Sequence, residues 1–309
     1  MENGNNFQAQ VDRHKAVIAN NPKDIWTYTR LGYALTRLES YQEAIEAYEK
    51  AIQLDPCMYF AHYGQGYVYL QIKKYTKALE CFYRSIEINP EYVQGHYRLG
   101  YLYNELKQYQ EALTHLHKVI EIEANHGKAH FCLGKVYNAL GRWDEAIFHL
   151  EKALAINGKY EYARYQLGLA YAEKGEHNIA VDNLQKALEI NPRLEYIYDR
   201  LGRIYLQMGL FAKAVEVHRK AVDTSPRLAY LWRNLGASLV KNRQYKEAVE
   251  ALKKALELES PNGISLYYLG CAYLGMGEQG LAKAAFENTL KILPEHKNAK
   301  MKLNKIKDA

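Results

Sequence analysis

The chain carries every residue type able to do chemistry, but the spacings do not assemble them into a reactive set. Cys57, Cys81, Cys132 and Cys271 lie far apart. A structural zinc site or a redox dithiol needs paired cysteines, so free thiols in a reducing compartment are expected. His62, His96 and His130 recur at one spacing and invite the idea of a metal row. Packed helices lie about 8–10 Å apart, whereas ligand nitrogens sit about 2 Å from a zinc ion, so equivalent side chains on three neighbouring helices cannot share one ion. His115 and His117 stand two apart and point to different faces of a helix, so they form no chelating pair and are expected at the surface. From Gly275 to Gly280 the chain reads Gly-Met-Gly-Glu-Gln-Gly. That pattern cradles a pyrophosphate only between a strand and a helix, and here it joins two helical segments. There is no glycine-flanked nucleophilic serine, and no carboxylate pair sits inside an apolar segment that would raise its pKa. Neither enzyme activity nor a metal or cofactor is expected.

What the chain has in excess is aromatic and cationic side chains: 28 tyrosines stand against 7 phenylalanines. A net charge of +6 over 309 residues is too mild to argue for nucleic acid or an anionic membrane. No run of 18 apolar residues occurs, and the start, Met1 to Phe7, has no basic segment leading into an apolar one. A cytoplasmic location is therefore expected.

The elements that position these side chains are repeats. Gly32, Gly66, Gly100, Gly134, Gly168, Gly202, Gly236 and Gly270 step by 34 residues, and a second series from Ala44 to Ala282 keeps the same step. Tyr69, Tyr103, Tyr137, Tyr171, Tyr205 and Tyr273 follow three residues after six of the glycines. Apolar residues recur at helical spacing on both sides of a short break, so each unit reads as two antiparallel helices. Pro22, Pro56, Pro90, Pro192, Pro226 and Pro294 share one position, and Pro261 falls one residue later, so each ends a second helix. Ala124 and Gly158 stand where proline is expected.

A 34-residue unit of Leu-Gly, Tyr, Ala, an aromatic or Leu, Ala and Pro resembles the tetratricopeptide repeat, and residues 25 to 296 carry the pattern. The resemblance implies an all-α fold, a right-handed superhelical α-solenoid of antiparallel helix pairs. Eight repeats are expected at 25–58, 59–92, 93–126, 127–160, 161–194, 195–228, 229–262 and 263–296. An N-terminal capping half-repeat (1–24) and a C-terminal solvating helix (297–309) should cover the apolar ends. In that helix Ala299, Leu303 and Ile306 keep the apolar spacing, and Lys297, Lys300, Lys302, Lys305 and Lys307 are expected to face outward. The resemblance also gives His62, His96 and His130 a packing role, at a position where the family often has tryptophan.

In this family the first helices line a concave groove, which implies six groove positions per repeat. These hold Trp26, Arg30, Tyr33, Phe60, Tyr63, Tyr67, Tyr97, Arg98, Tyr101, Lys128, Phe131, Lys135, Tyr162, Tyr165, Tyr196, Arg200, Arg203, Tyr230, Arg233 and Asn234. Tyr63, Tyr97, Tyr165 and Tyr267 stand at a position where tyrosine belongs to the family pattern. The rows Trp26/Phe60, Tyr33/Tyr67/Tyr101 and Tyr162/Tyr196/Tyr230 are additional to it. Tyrosine, tryptophan and arginine are the side chains that most often carry interface energy. The expected function is a scaffold or adaptor that binds a peptide or partner protein. Aromatics dominate repeats one to three and arginines repeats six and seven, which predicts a ligand with an apolar segment beside an acidic one. The residue sets of a chaperone-tail clamp and of an asparagine ladder are both missing. Self-assembly through groove and terminal helix, and an RNA-binding helical array, are the alternative readings. Membrane and nucleic acid are not expected partners.

Overall fold

The computed structural model describes residues 2–259 and 261–307, with side chains for 6–259 and 261–306, so the side chain of Lys307 lies outside the described set. Among the described residues there are eighteen helices and no strand. The chain falls into two compact units, Met1–Gly158 and Lys159–Ala309.

The first unit contains α1 (Glu2–Asn20), α2 (Ile25–Arg37), α3 (Tyr41–Leu54), α4 (Tyr59–Gln71), α5 (Tyr75–Ile88), α6 (Val93–Glu105), α7 (Tyr109–Ile122), α8 (Gly127–Ala139) and α9 (Trp143–Ile156). The second contains α10 (Glu161–Glu173), α11 (His177–Ile190), α12 (Glu195–Gln207), α13 (Phe211–Thr224), α14 (Ala229–Lys241), α15 (Tyr245–Leu258), α16 (Gly263–Gly275), α17 (Gln279–Ile292) and α18 (Lys297–Lys307). Even-numbered helices from α2 to α16 have 13 residues and their odd-numbered partners 14. Each helix packs against the next within its unit, and α2 also meets α4, as α6 meets α8. The prolines sit in the turns after the odd-numbered helices, where a missing backbone donor costs no helix bond.

The stepping glycines set the spacing of each helix pair. A Cβ on Gly66 would meet the Phe82 ring at 2.9 Å, on Gly134 the Leu150 Cγ at 2.4 Å, and on Gly236 the Leu252 Cγ at 2.5 Å. Large side chains of the second helices therefore lie directly on the backbone of the first, and Phe82, Leu150 and Leu252 are fully buried. The alanine series, from Ala44 to Ala282, is buried to 0% exposure throughout.

The turn inside each pair needs one left-handed residue. Gly141, Gly175, Gly209 and Gly277 have φ of 71–82°, and Glu39, Lys73, Lys107 and Arg243 take the same place with φ near 60°. Backbone bonds such as Lys107 N to Asn104 O and Gln108 N to Tyr103 O close the turn. An L-residue in this conformation is strained by about 1–2 kcal/mol, partly offset by the greater freedom of glycine in the unfolded chain. Lys107→Gly should therefore raise unfolding stability by about 0.5–1 kcal/mol. Gly175→Ala, whose Cβ meets nothing within 4 Å, should lower it by a similar amount. Urea titration reads both.

At the ends, Val11 of α1 is buried, and Ala299 and Leu303 of α18 join Phe286 in one apolar cluster. Lys297, Lys300 and Lys305 are exposed, but Lys302 is not turned to solvent as expected. It is half-buried and lines a cavity with Lys241, Tyr267, Tyr268 and Cys271, because its place on α18 puts it above the first helix of the preceding pair.

Candidate functional site

In the first unit, Trp26, Arg30, Tyr33 and Arg37 form one stripe along α2, and Phe60, Tyr63, Gly64 and Tyr67 do the same on α4. Tyr92, at the start of α6, and Arg98, within it, close the third side. Together they line a cavity of about 410 Å3. Trp26 lies 5.6 Å from Phe60, and Tyr92 lies 5.5 Å from Phe60 and 5.3 Å from Tyr63 at steep angles, the edge-to-face arrangement aromatic rings favour. Trp26 and Tyr33 remain 52% and 54% exposed. Arg98 donates from Nε to the Tyr63 hydroxyl at 3.3 Å, and its guanidinium lies 4.8 Å from the Tyr67 ring and 5.6 Å from the Tyr97 ring. Phe7 of α1 borders the site, 6.3 Å from Tyr33 and beneath Arg37.

The floor is built by a side chain that reaches across from a second helix. Tyr48 of α3 occupies the position that Phe82, Leu116 and Leu150 fill in the following pairs, but it is longer. It can extend into the cavity because its neighbours lack side chains: a Cβ on Gly32 would lie 2.8 Å from its ring and one on Gly64 only 2.4 Å.

The other predicted positions of this unit are less concentrated. Lys135 pairs with Glu105 at 3.4 Å and lies over Phe131, Tyr97 stacks near His126, Tyr101 is half-buried, and Lys128 stands exposed at the start of α8. Burial raises the thiols of Cys81 to about 12 and Cys132 to about 11, which keeps both protonated at neutral pH.

In the second unit, Tyr165 and Tyr196 meet at 4.9 Å, and Tyr162 is 45% exposed. Tyr230 and Arg233 are half-buried on α14, and Arg203 is exposed on α12. Arg200 faces Glu173 at 3.8 Å, and the Asn234 amide donates to Asp199 at 2.6 Å. Behind Asp199 stands His218, its Nε2 3.6 Å from the carboxylate and its Nδ1 2.7 Å from Ser238 Oγ. The order serine, imidazole, carboxylate has the composition of a hydrolase triad, but His218 and Ser238 are both 0% exposed, so no substrate reaches the hydroxyl. It is a polar joint between α12, α13 and α14, with His218 in the slot that Leu184 and Leu252 fill elsewhere.

The histidines correct one expectation and explain another. Nε2 of His62, His96 and His130 each lies 3.0 Å from the carbonyl of Pro56, Pro90 and Ala124, the bond that Trp232 Nε1 makes to Pro226 at 2.8 Å. His115, expected at the surface, is buried: its Nδ1 meets His96 Nδ1 at 3.1 Å, and His149 repeats the contact with His130 at 2.9 Å. Since the carbonyls take the Nε2 protons of His96 and His130, each partner donates from Nδ1. His115 Nε2 is then left to accept from Tyr83, at 3.2 Å. Only His117 is exposed, bonded to Tyr137 at 2.8 Å.

Burial and the facing imidazole hold His115 and His149 down to about 4, below the usual 6.5. The unfolded chain therefore takes protons that the folded one refuses. The stability contributed is complete above about pH 6.5 and is lost as the pH falls toward 4, by on the order of 2 kcal/mol. Urea midpoints between pH 7.5 and 4.5 should show this loss. His96→Trp with His115→Ala, the pair found at Trp232 and Ala251, should remove about half of it and leave the share of His149.

Family models for the tetratricopeptide repeat match residues 25–56, 59–92, 196–227, 229–262 and 265–296, and TPR repeat models match 134–175 and 170–209. A model of anaphase-promoting complex, cyclosome, subunit 3 matches residues 89–153. No curated protein matches the chain. Among solved structures, the chain is similar to YrrB, described as a TPR protein with an unusual peptide-binding site, at 28% identity and a TM-score of 0.52, over 58% of this chain and 92% of that one. It is similar to MamA at 28% identity and a TM-score of 0.51, over 55% and 93%. A tetratricopeptide repeat protein from Parabacteroides merdae, at 19% identity and a TM-score of 0.60 over 80% and 98%, shares the fold.

Proposed function

We propose, since this chain belongs to the tetratricopeptide repeat family of protein-interaction scaffolds, that it holds a segment of another polypeptide on the face formed by its first helices. The observation that carries this reading is the aromatic cavity of the first unit. Trp26, Tyr33, Phe60, Tyr63 and Tyr67 all stand on α2 and α4 and leave ring surface open to solvent. Core packing does not require such exposure, and rigid rings with polar edges bind polypeptide at low entropic cost. The likeness to YrrB, whose description includes a peptide-binding site, supports the same reading.

The role is one of holding rather than catalysis. Free thiols at all four cysteines suit a cytoplasmic setting, and among the described residues no helix is long and apolar enough to cross a membrane. In the second unit, Tyr162, Tyr165, Tyr196 and Tyr230 with Arg200, Arg203, Arg233 and Asn234 form the corresponding contact set.

Trp26 offers a test that spares the fold, because it is half exposed and stacks on Phe60 alone among the described rings. Trp26→Ala should weaken a partner captured by the immobilised chain about 30-fold, the usual cost of losing one tryptophan anchor. The urea midpoint should stay within error. An unchanged affinity would remove α2 from the binding face.

A further inference from the structure

We propose that the cavity between α2, α4 and α6 reads a pair of side chains on its partner: one aromatic or long aliphatic group seated against Trp26, Phe60 and Tyr92, and an adjacent acidic side chain held by Arg98. This rests on the reading that the first-helix face binds polypeptide, and it names what that face selects.

The acidic half of the pair follows from the state of the arginines. Arg30, Arg37 and Arg98 line the cavity, and among the described residues none of them forms an ion pair with a carboxylate. Other cations on first helices behave differently: Lys135 is matched by Glu105 and, in the second unit, Arg200 by Glu173. Arg98 is half-buried and, among the described residues, donates through Nε alone, to Tyr63. Among the described residues the planar fork of its two terminal nitrogens has no acceptor, while Tyr67 and Tyr97 fix the plane from the sides. A guanidinium so held is pre-organised for a carboxylate, which can take two parallel N–H bonds from it. Partial burial makes an unmatched charge costly, so a matching anion brings more here than at an open surface.

The apolar half follows from size and lining. The cavity, about 410 Å3, lies within the range of about 300–1,000 Å3 typical of ligand pockets. Three guanidiniums at its edge exclude a cationic guest, so the aromatic box is not built for an ammonium group. The joint requirement is an apolar side chain and a carboxylate within one or two residues of each other.

The test selects a display library of random dodecapeptides against the full chain. Wild type should enrich peptides with Trp, Phe or Leu within two positions of Asp or Glu. With Arg98→Met the apolar preference should persist and the acidic one disappear. A selected peptide should lose at least tenfold in affinity when its acid is changed to the amide, and nothing further when that peptide is measured against the Arg98→Met chain. The peptide substitution leaves the protein untouched, so the comparison survives even if Arg98→Met folds poorly. Peptides that need Tyr33 and Tyr67 but show no acidic preference overturn the proposal and leave the binding face standing. If no enriched peptide depends on those tyrosines, both fall. Enrichment of basic peptides also overturns it.

Discussion

Gly134→Val is expected to cost about 3 kcal/mol or more and to leave the first unit largely unfolded under mild denaturant. Even a single Cβ at Gly134 would lie 2.4 Å from Leu150 Cγ and 2.6 Å from its Cδ2, and Leu150 is fully buried with no room to turn aside. Valine adds two methyl groups on a branched carbon, so α8 and α9 must move apart along their length. Since α8 also meets α6 and α7, the displacement spreads through the unit. Far-UV circular dichroism against urea reads the loss. Gly280→Ala is the contrast: its Cβ meets nothing within 4 Å, and in the first turn of α17 it should add up to about 1 kcal/mol.

The second large effect concerns binding. Alanine at Tyr33, Tyr67 and Tyr101 together should weaken capture of a natural partner about a thousandfold, roughly 1.5 kcal/mol for each ring removed from the binding face. Tyr33 is exposed, and Tyr67 also forms one side of the platform that holds Arg98, so its loss removes a contact and loosens a neighbour. The fold should tolerate the change better, because none of the three rings is among the buried core residues. Isothermal titration with the captured partner, set beside a urea melt of the same variant, separates the two effects. Equal affinity for both proteins would exclude these rings from the site.

Periodicity was enough to read helix pairs from this chain, because a 34-residue step of glycine and alanine leaves few ways to pack the remaining large side chains. The same step put Trp26 and Phe60 on equivalent places of neighbouring first helices, and the structure brings their rings to 5.6 Å. Other features depend on reach rather than period. Tyr48 belongs to a second helix and enters the cavity only because Gly32 and Gly64 lack side chains, a coincidence of three residues on three helices. Tyr92 lies just outside α6, at a turn position the groove pattern does not count. Its only advance signal was an aromatic just before a helix start, a place held by Met58 in the preceding repeat and by Tyr160 two repeats on. His115 looked exposed from its place two residues from His117, yet one of two such residues must face inward, and here His96 offers it a hydrogen-bond acceptor. Arg30 and Arg98 already stood among the groove positions beside the rings, and the structure sets them, with Arg37, along one cavity.

The central claim is that the first-helix face holds the partner, and site-directed photo-crosslinking tests it most directly. A benzophenone side chain is placed at Tyr67 on α4, within the cavity lining, or at Glu46 on α3, an exposed position of a second helix. With the captured partner present, crosslinks should form from position 67 and not from position 46. Crosslinks from position 46 with none from position 67 would contradict the account.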